Sequence, residues 1–142
     1  MKFQSETALL WFKKADNDLK IGKDEILSDN PATDTICFHM QQCVEKYLKG
    51  YLVFYGKEIE KTHNIGRILR ECRDLDVSFS EIDTPAVDSL TLYATELRYP
   101  DDFYMPSLDE TLEAVKQAEK VRDFVLEKLR YAGFDFQGCG KE

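Results

Sequence analysis

The stretch TDTICFHMQQCVEKYLKGY, residues 33–51, decides how this chain is read. Ile36, Met40, Val44, Leu48 and Tyr51 recur at intervals of three and four, the spacing that lines side chains along one face of an α-helix. Thr33 or Asp34 can open that helix, because a short polar side chain there accepts from a first-turn N–H that has no partner inside the helix. Ser28-Asp29-Asn30-Pro31 upstream is a turn by composition, and Gly56 downstream suits the left-handed residue that closes many helices. The same stretch is also the densest polar group in an amphipathic region. Gln41, Glu45 and Lys49 fall four apart along one side, with Gln42 and Lys46 beside them, and Glu45 precedes Lys49 in the order that favours an ion pair. Either this is a solvated face carrying one such pair, or it is a polar seam facing another helix or a subunit.

Working outward, helical periodicity continues in both directions. Ser5 is placed to cap a first helix carrying Ala8, Trp11, Phe12, Ala15 and Leu19, expected to run to about Leu27. Thr62 is placed to cap a third, shorter helix through Ile65, Ile68, Leu69 and Cys72. Leu75 to Asp83 has no helical period and reads as a loop. Thr84-Pro85 is a cap followed by a first-turn proline, and Val87, Leu90, Ala94 and Leu97 mark a fourth helix, which Pro100 should stop at Tyr99. Ser107 with Glu110 forms a capping box before Leu112, Val115, Ala118, Val121 and Val125, a fifth helix that Gly133 ends. The expected architecture is all-α, an up-and-down bundle of about five helices in one domain over residues 1–133, with a flexible tail at 134–142.

Composition sets outer limits. The 142 residues are 43% hydrophobic, enough for a core, and 32% charged with only four prolines and seven glycines, as a helical protein requires. The net charge is −8, and residues 1–75 balance 12 basic against 12 acidic side chains while residues 76–142 hold 7 against 15. A sequence-independent DNA coat is excluded, since such binding depends on a basic surface that displaces counterions. Any nucleotide or nucleic acid must meet a local patch, in the balanced first half. Cys37, Cys43, Cys72 and Cys139 form no CxxC pair, and with His39 and His63 as the only histidines no metal site and no cofactor are expected. The absence of an apolar run of membrane length gives a cytoplasmic expectation with no membrane contact.

Two further groups can carry chemistry. Lys61-Thr62-His63-Asn64 opens the third helix, where unpaired N–H groups favour anions, with Arg67 a turn later; a cap with a histidine packed over it is the commoner use. Glu96-Leu97-Arg98-Tyr99-Pro100 ends the fourth helix. Arg98 suits a helix C-terminus without any ligand, yet it is the one basic residue between Arg73 and Lys116 and suits a specific pair with a carboxylate or a phosphate.

Taken in order, these groups resemble the HEPN family of short helical bundles. The likeness rests on Gln41, Gln42, Glu45, Lys46, Leu48 and Lys49, then Thr62 and His63, then Arg98, Tyr99 and Pro100, with Ala15, Asp18 and Leu19 in the first helix, and covers about residues 5–130. It implies a bundle like the substrate-binding subunits of nucleotidyltransferases, forming a homodimer with the polar motif near the interface. Members act as metal-independent RNases, as toxins paired with small nucleotidyltransferases, or as nucleotide-binding modules. The RNase members place a histidine after an arginine with four to six residues between them; here Phe103, Tyr104 and Met105 stand at those positions after Arg98. Metal-free RNA cleavage needs a group that exchanges protons near neutral pH, which phenylalanine does not supply. The expected function is therefore a nucleotide- or RNA-binding module, partner of a small nucleotidyltransferase, with Lys46, Lys49, His63, Arg98 and Tyr99 as binding residues and Arg98 the candidate for any catalytic role. The alternatives are a divergent RNase toxin and a ligand-free helical dimer in which Glu45, Lys46 and Arg98 form a buried ion network.

Overall fold

In a computed structural model, residues 4–95 and 104–134 are described. Helix α1 spans Ser5–Glu25, α2 Thr33–Phe54 and α3 Ile65–Leu75. After a 3-10 turn at Val77–Glu81 come two short helical turns, α4 at Pro85–Asp88 and α5 at Leu92–Thr95, joined by a 3-10 turn at Ser89–Thr91. The long α6 is Leu108–Tyr131, and there is no strand among the described residues. With α4 and α5 taken as one interrupted helix, the bundle has the expected five.

Helix α2 is the axis of the fold: 16 of its 22 residues are buried, so neighbours cover it on nearly every side. Its antiparallel partner is α1, whose Ala8, Phe12, Ala15, Leu19 and Gly22 alternate spacings of four and three and are all buried. Small residues in that stripe let the helices approach closely. A Cβ on Gly50 would come within 2.4 Å of the Phe12 ring, so glycine there is a packing requirement, and Gln4 N–H donates to the Phe54 carbonyl where α1 begins and α2 ends. Helix α6 runs parallel to α2, with Thr111 against Cys37 at one end and Phe134 against Phe12 and Phe54 at the other. Tyr47 stacks on Phe12, and Tyr51 packs on Tyr55 and Phe79. The four-spaced tyrosines of α2 thus build core.

Several boundaries differ from expectation for local reasons. Gln4, with no side-chain bond, stands at the cap of α1 in place of Ser5. Asn64 caps α3, accepting from Arg67 N–H at 2.9 Å, while the Thr62 hydroxyl is turned to Asn64 N–H. The expected loop after Leu75 contains the Val77–Glu81 turn, opened by Asp76, whose carboxylate accepts from Ser78 N–H and hydroxyl, and anchored by fully buried Phe79. The fourth helix is interrupted where Ser89 donates to the Ala86 carbonyl and Thr91 accepts from Ile65 N–H, side-chain bonds that compete with the helical ladder. Its expected end at Tyr99 lies outside the described residues. Ser107 does accept from Glu110 N–H, but the Glu110 carboxylate takes the hydroxyls of Tyr93 and Tyr104 instead of returning to the cap. Gly56 and Gly133 adopt positive φ, 77° and 86°, where helices end as expected. Phe134, assigned to the tail, is instead part of the core.

Candidate functional site

The polar residues of α2 are drawn to two carboxylates. Glu45 is the first. Its carboxylate accepts from Lys49 Nζ at 2.6 Å and Gln41 Nε2 at 2.9 Å, and pairs with His63 Nδ1 at 3.0 Å. Gln41, Glu45 and Lys49 are all buried, so the expectation of a solvated face is corrected: the four-spaced stripe is a buried seam packed toward the segment that opens α3. Gln41 also donates to the His63 carbonyl and accepts from Gln42, so the seam holds the 63–64 backbone as well as the ring. Burial alone would raise the Glu45 pKa, but the hydrogen bonds from Lys49, His63 and Gln41 outweigh it and hold the group below the ordinary glutamate range. It is a fixed anion.

Asp18, on α1, is the second centre. One of its oxygens meets His39 Nδ1 at 2.7 Å and the other accepts from Lys46 Nζ at 2.7 Å. Lys46 therefore pairs with Asp18 and not with Glu45, which corrects the Glu45–Lys46 part of the alternative ion network; its Arg98 lies outside the described residues. Both histidines of the chain are held through Nδ1 by a carboxylate that also takes a lysine of α2. With the Nδ1 proton donated to the carboxylate, the neutral ring has its acceptor at Nε2. Each cluster thus pairs a neutralised anion with an imidazole fixed in orientation, able to accept a proton or a hydrogen bond.

The predicted binding residues divide accordingly. Lys49 is buried and committed to Glu45; His63 is 56% exposed at its side chain; Lys46 lies in the Asp18 cluster, partly open to solvent. Arg98 and Tyr99 lie outside the described residues. At the start of α3, Thr91 and Asn64 already accept from Ile65 and Arg67 N–H, and the Arg67 guanidinium pairs with Glu60 through two nitrogens. That opening is used for internal bonds. Sequence reasoning gave no site role to Asp18 or His39. The available signals were a carboxylate beside the apolar stripe of α1 and a histidine seven residues, two helical turns, before Lys46. Among the described residues no three His, Cys, Asp or Glu side chains converge on a metal position, Cys37, Cys43 and Cys72 are buried thiols, and no helix is long and apolar enough to cross a membrane.

Against known proteins, the HEPN domain pattern matches residues 8–129, most of the chain. The chain belongs to the HEPN family. This HEPN protein is 28% identical over 144 aligned positions to the toxin candidate MJ1304 of Methanocaldococcus jannaschii, covering 89% of this chain and 93% of that one. The crystal structure of ST0689, an archaeal HEPN homologue, superposes with a TM-score of 0.66 at 25% identity, covering 85% of this chain and 96% of the other. The span that the HEPN pattern matches, residues 8–129, includes the positions of both carboxylate clusters.

Proposed function

We propose that this HEPN protein is a nucleotide- or RNA-binding module that acts as a homodimer and partners a small nucleotidyltransferase. The observation that carries the reading is the repeated carboxylate–lysine–histidine cluster. On a chain of net charge −8, binding a phosphate needs a local cation whose geometry is already fixed, and α2 offers Lys46; His63, oriented through Glu45, presents a hydrogen-bond acceptor to the rest of a nucleotide. Arg98 and Tyr99 complete the proposed set from the sequence. Lys49 serves it indirectly, by holding the carboxylate that orients His63. The test is thermal: a ligand bound by the native state alone stabilises it by about 2.7 kcal/mol at one hundred times its Kd. A clear rise in Tm with one of the common ribonucleotides is expected at millimolar concentration, and no rise with any of them would refute the binding reading. Dimerisation is tested by sedimentation of the same samples.

A second reading, a toxin that cuts RNA, is favoured by the toxin candidate among its relatives. It has to work without a histidine at the family's position after Arg98. Growth arrest on induction in a bacterial host, relieved by Arg98→Ala, is its expected signature; undisturbed growth under strong induction counts against it.

A further inference from the structure

Six residues of α2 escape burial: Asp34, Thr35, Phe38, His39, Gln42 and Lys46. From Phe38 onward they follow one another at intervals of one, three and four positions, a single stripe along the helix. This is the window through which the central helix meets solvent, and the Asp18 cluster sits in it. The side chains of His39 and Lys46 are 27% and 24% exposed, while Asp18 between them is 10% exposed. The carboxylate is therefore screened and its two partners are reachable.

The donors and acceptors left over define a ligand. Lys46 uses one ammonium proton on Asp18 and keeps two for an anion. His39, its Nδ1 on the other Asp18 oxygen, keeps Nε2 as an acceptor. Asp18 draws both side chains to one carboxylate, so a hydrogen-bond acceptor and a cation stand side by side. The Phe38 ring meets His39 edge-on at 5.7 Å and borders the imidazole on the helix. A phosphate alone satisfies Lys46 and leaves the imidazole acceptor unused. A hydroxyl next to a phosphate satisfies both.

Resting on the nucleotide-or-RNA reading above, we infer that the α2 window selects ribose: His39 Nε2 accepts a hydrogen bond from a ribose 2′-hydroxyl while Lys46 donates to the adjoining phosphate, with Asp18 as the positioning residue. The 2′-hydroxyl is the group that separates RNA from DNA, and a site built to bond it discriminates against a ligand that lacks it.

The experiment is fluorescence anisotropy with a short single-stranded oligouridylate and the oligodeoxyuridylate of the same length. The native protein is expected to bind the ribo form about tenfold more tightly, the worth of one such hydrogen bond. His39→Phe, which leaves the Asp18–Lys46 pair intact, should bring the ribo affinity down to the deoxy value without changing the latter. His39→Gln keeps an acceptor oxygen and should retain part of the preference, and thermal melts of both variants establish that they are folded. Lys46→Met should weaken both ligands and flatten the salt dependence by about one phosphate contact. Equal binding of the two polymers by the native protein, or a ribo preference that survives in folded His39→Phe, overturns ribose selection and leaves the binding reading standing. Binding of neither polymer, with no thermal shift from nucleotides, removes the binding reading and this inference with it.

Discussion

The two carboxylate clusters on α2 share a composition and differ in depth. Around Glu45 the lysine is as buried as the acid, with Lys49 and Glu45 side chains 8% and 7% exposed, and the histidine alone reaches water. Around Asp18 the acid is screened while both of its partners, His39 and Lys46, are partly open. A buried pair is costly to break from one side, since the surviving charge has neither partner nor solvent, and nearly neutral to remove whole. A half-open cluster lets water replace what is removed. The Glu45 cluster thus acts mainly as a clamp between α2 and the start of α3, and the Asp18 cluster is the one able to exchange partners with a ligand.

The largest expected effect is on the clamp. Lys49→Met should destabilise by about 3 kcal/mol, the lower end of the cost of breaking a buried pair from one side, because Glu45 keeps Gln41 and His63 but has almost no access to water, read as a fall in Tm or in the denaturant midpoint. The double variant Glu45→Gln with Lys49→Met should recover most of that loss; a double variant as unstable as the single one would show that the pair contributes more than charge compensation. The same cluster sets an acid limb. Because the Glu45 pKa is lowered in the folded state, its contribution is present above the unfolded glutamate value and lost as pH falls through the folded one. Urea titrations below about pH 4.3, the ordinary glutamate value, should show native stability falling more steeply than that of the double variant.

Lys46→Met should cost less, about 1–2 kcal/mol, since Asp18 keeps His39 and some access to water. If Lys46→Met and Lys49→Met are equally damaging, the contrast in depth carries no energetic meaning. A related test lies in the α1–α2 contact, across which the Asp18 cluster forms. Gly50→Ala should lose about 1–2 kcal/mol to overpacking against Phe12, after helix propensity returns part of the strain.

The contrast also explains what the sequence made legible. Helix order, the α2 stripe and the glycine stops were readable because each is a local pattern: periodicity, a cap, a positive φ. Where local solutions competed, a tertiary bond chose in one case, as when Thr91 accepted the Ile65 N–H and interrupted the fourth helix, and a second local bond in another, as when Asn64 displaced Thr62 as the cap. The burial of Gln41, Glu45 and Lys49 was not legible, because a polar stripe on a helix has the same spacing whether it faces solvent or a second element. Lys46 was found and its partner missed for the same reason. Asp18 is 28 positions away, and nothing local links a carboxylate on one helix to a lysine on the next.

A third carboxylate, Asp88, lacks what the two clusters have, and it gives the smallest of these effects, with the opposite sign. Its Oδ1 is buried with no hydrogen-bond partner among the described residues. Burial first, and then the neighbouring Asp83, raise its pKa to about 6, while Asp83 itself is held by Arg73 at 2.8 Å. A carboxyl whose folded pKa is raised favours the native state fully only below its unfolded value near 4; that advantage drains away as pH climbs toward 6, and above 6 the ionised group is a standing penalty. Asp88→Asn removes the charge and supplies an amide donor toward Asp83. Much of the group remains in contact with water, so screening reduces the gain to about 1 kcal/mol at pH 7.5, and it should shrink to nothing by about pH 4. Denaturant midpoints of the native protein and Asp88→Asn across that range measure it. A gain independent of pH would mean that the asparagine acts through packing or a new hydrogen bond, and that Asp88 is not an uncompensated counterpart of Asp18 and Glu45.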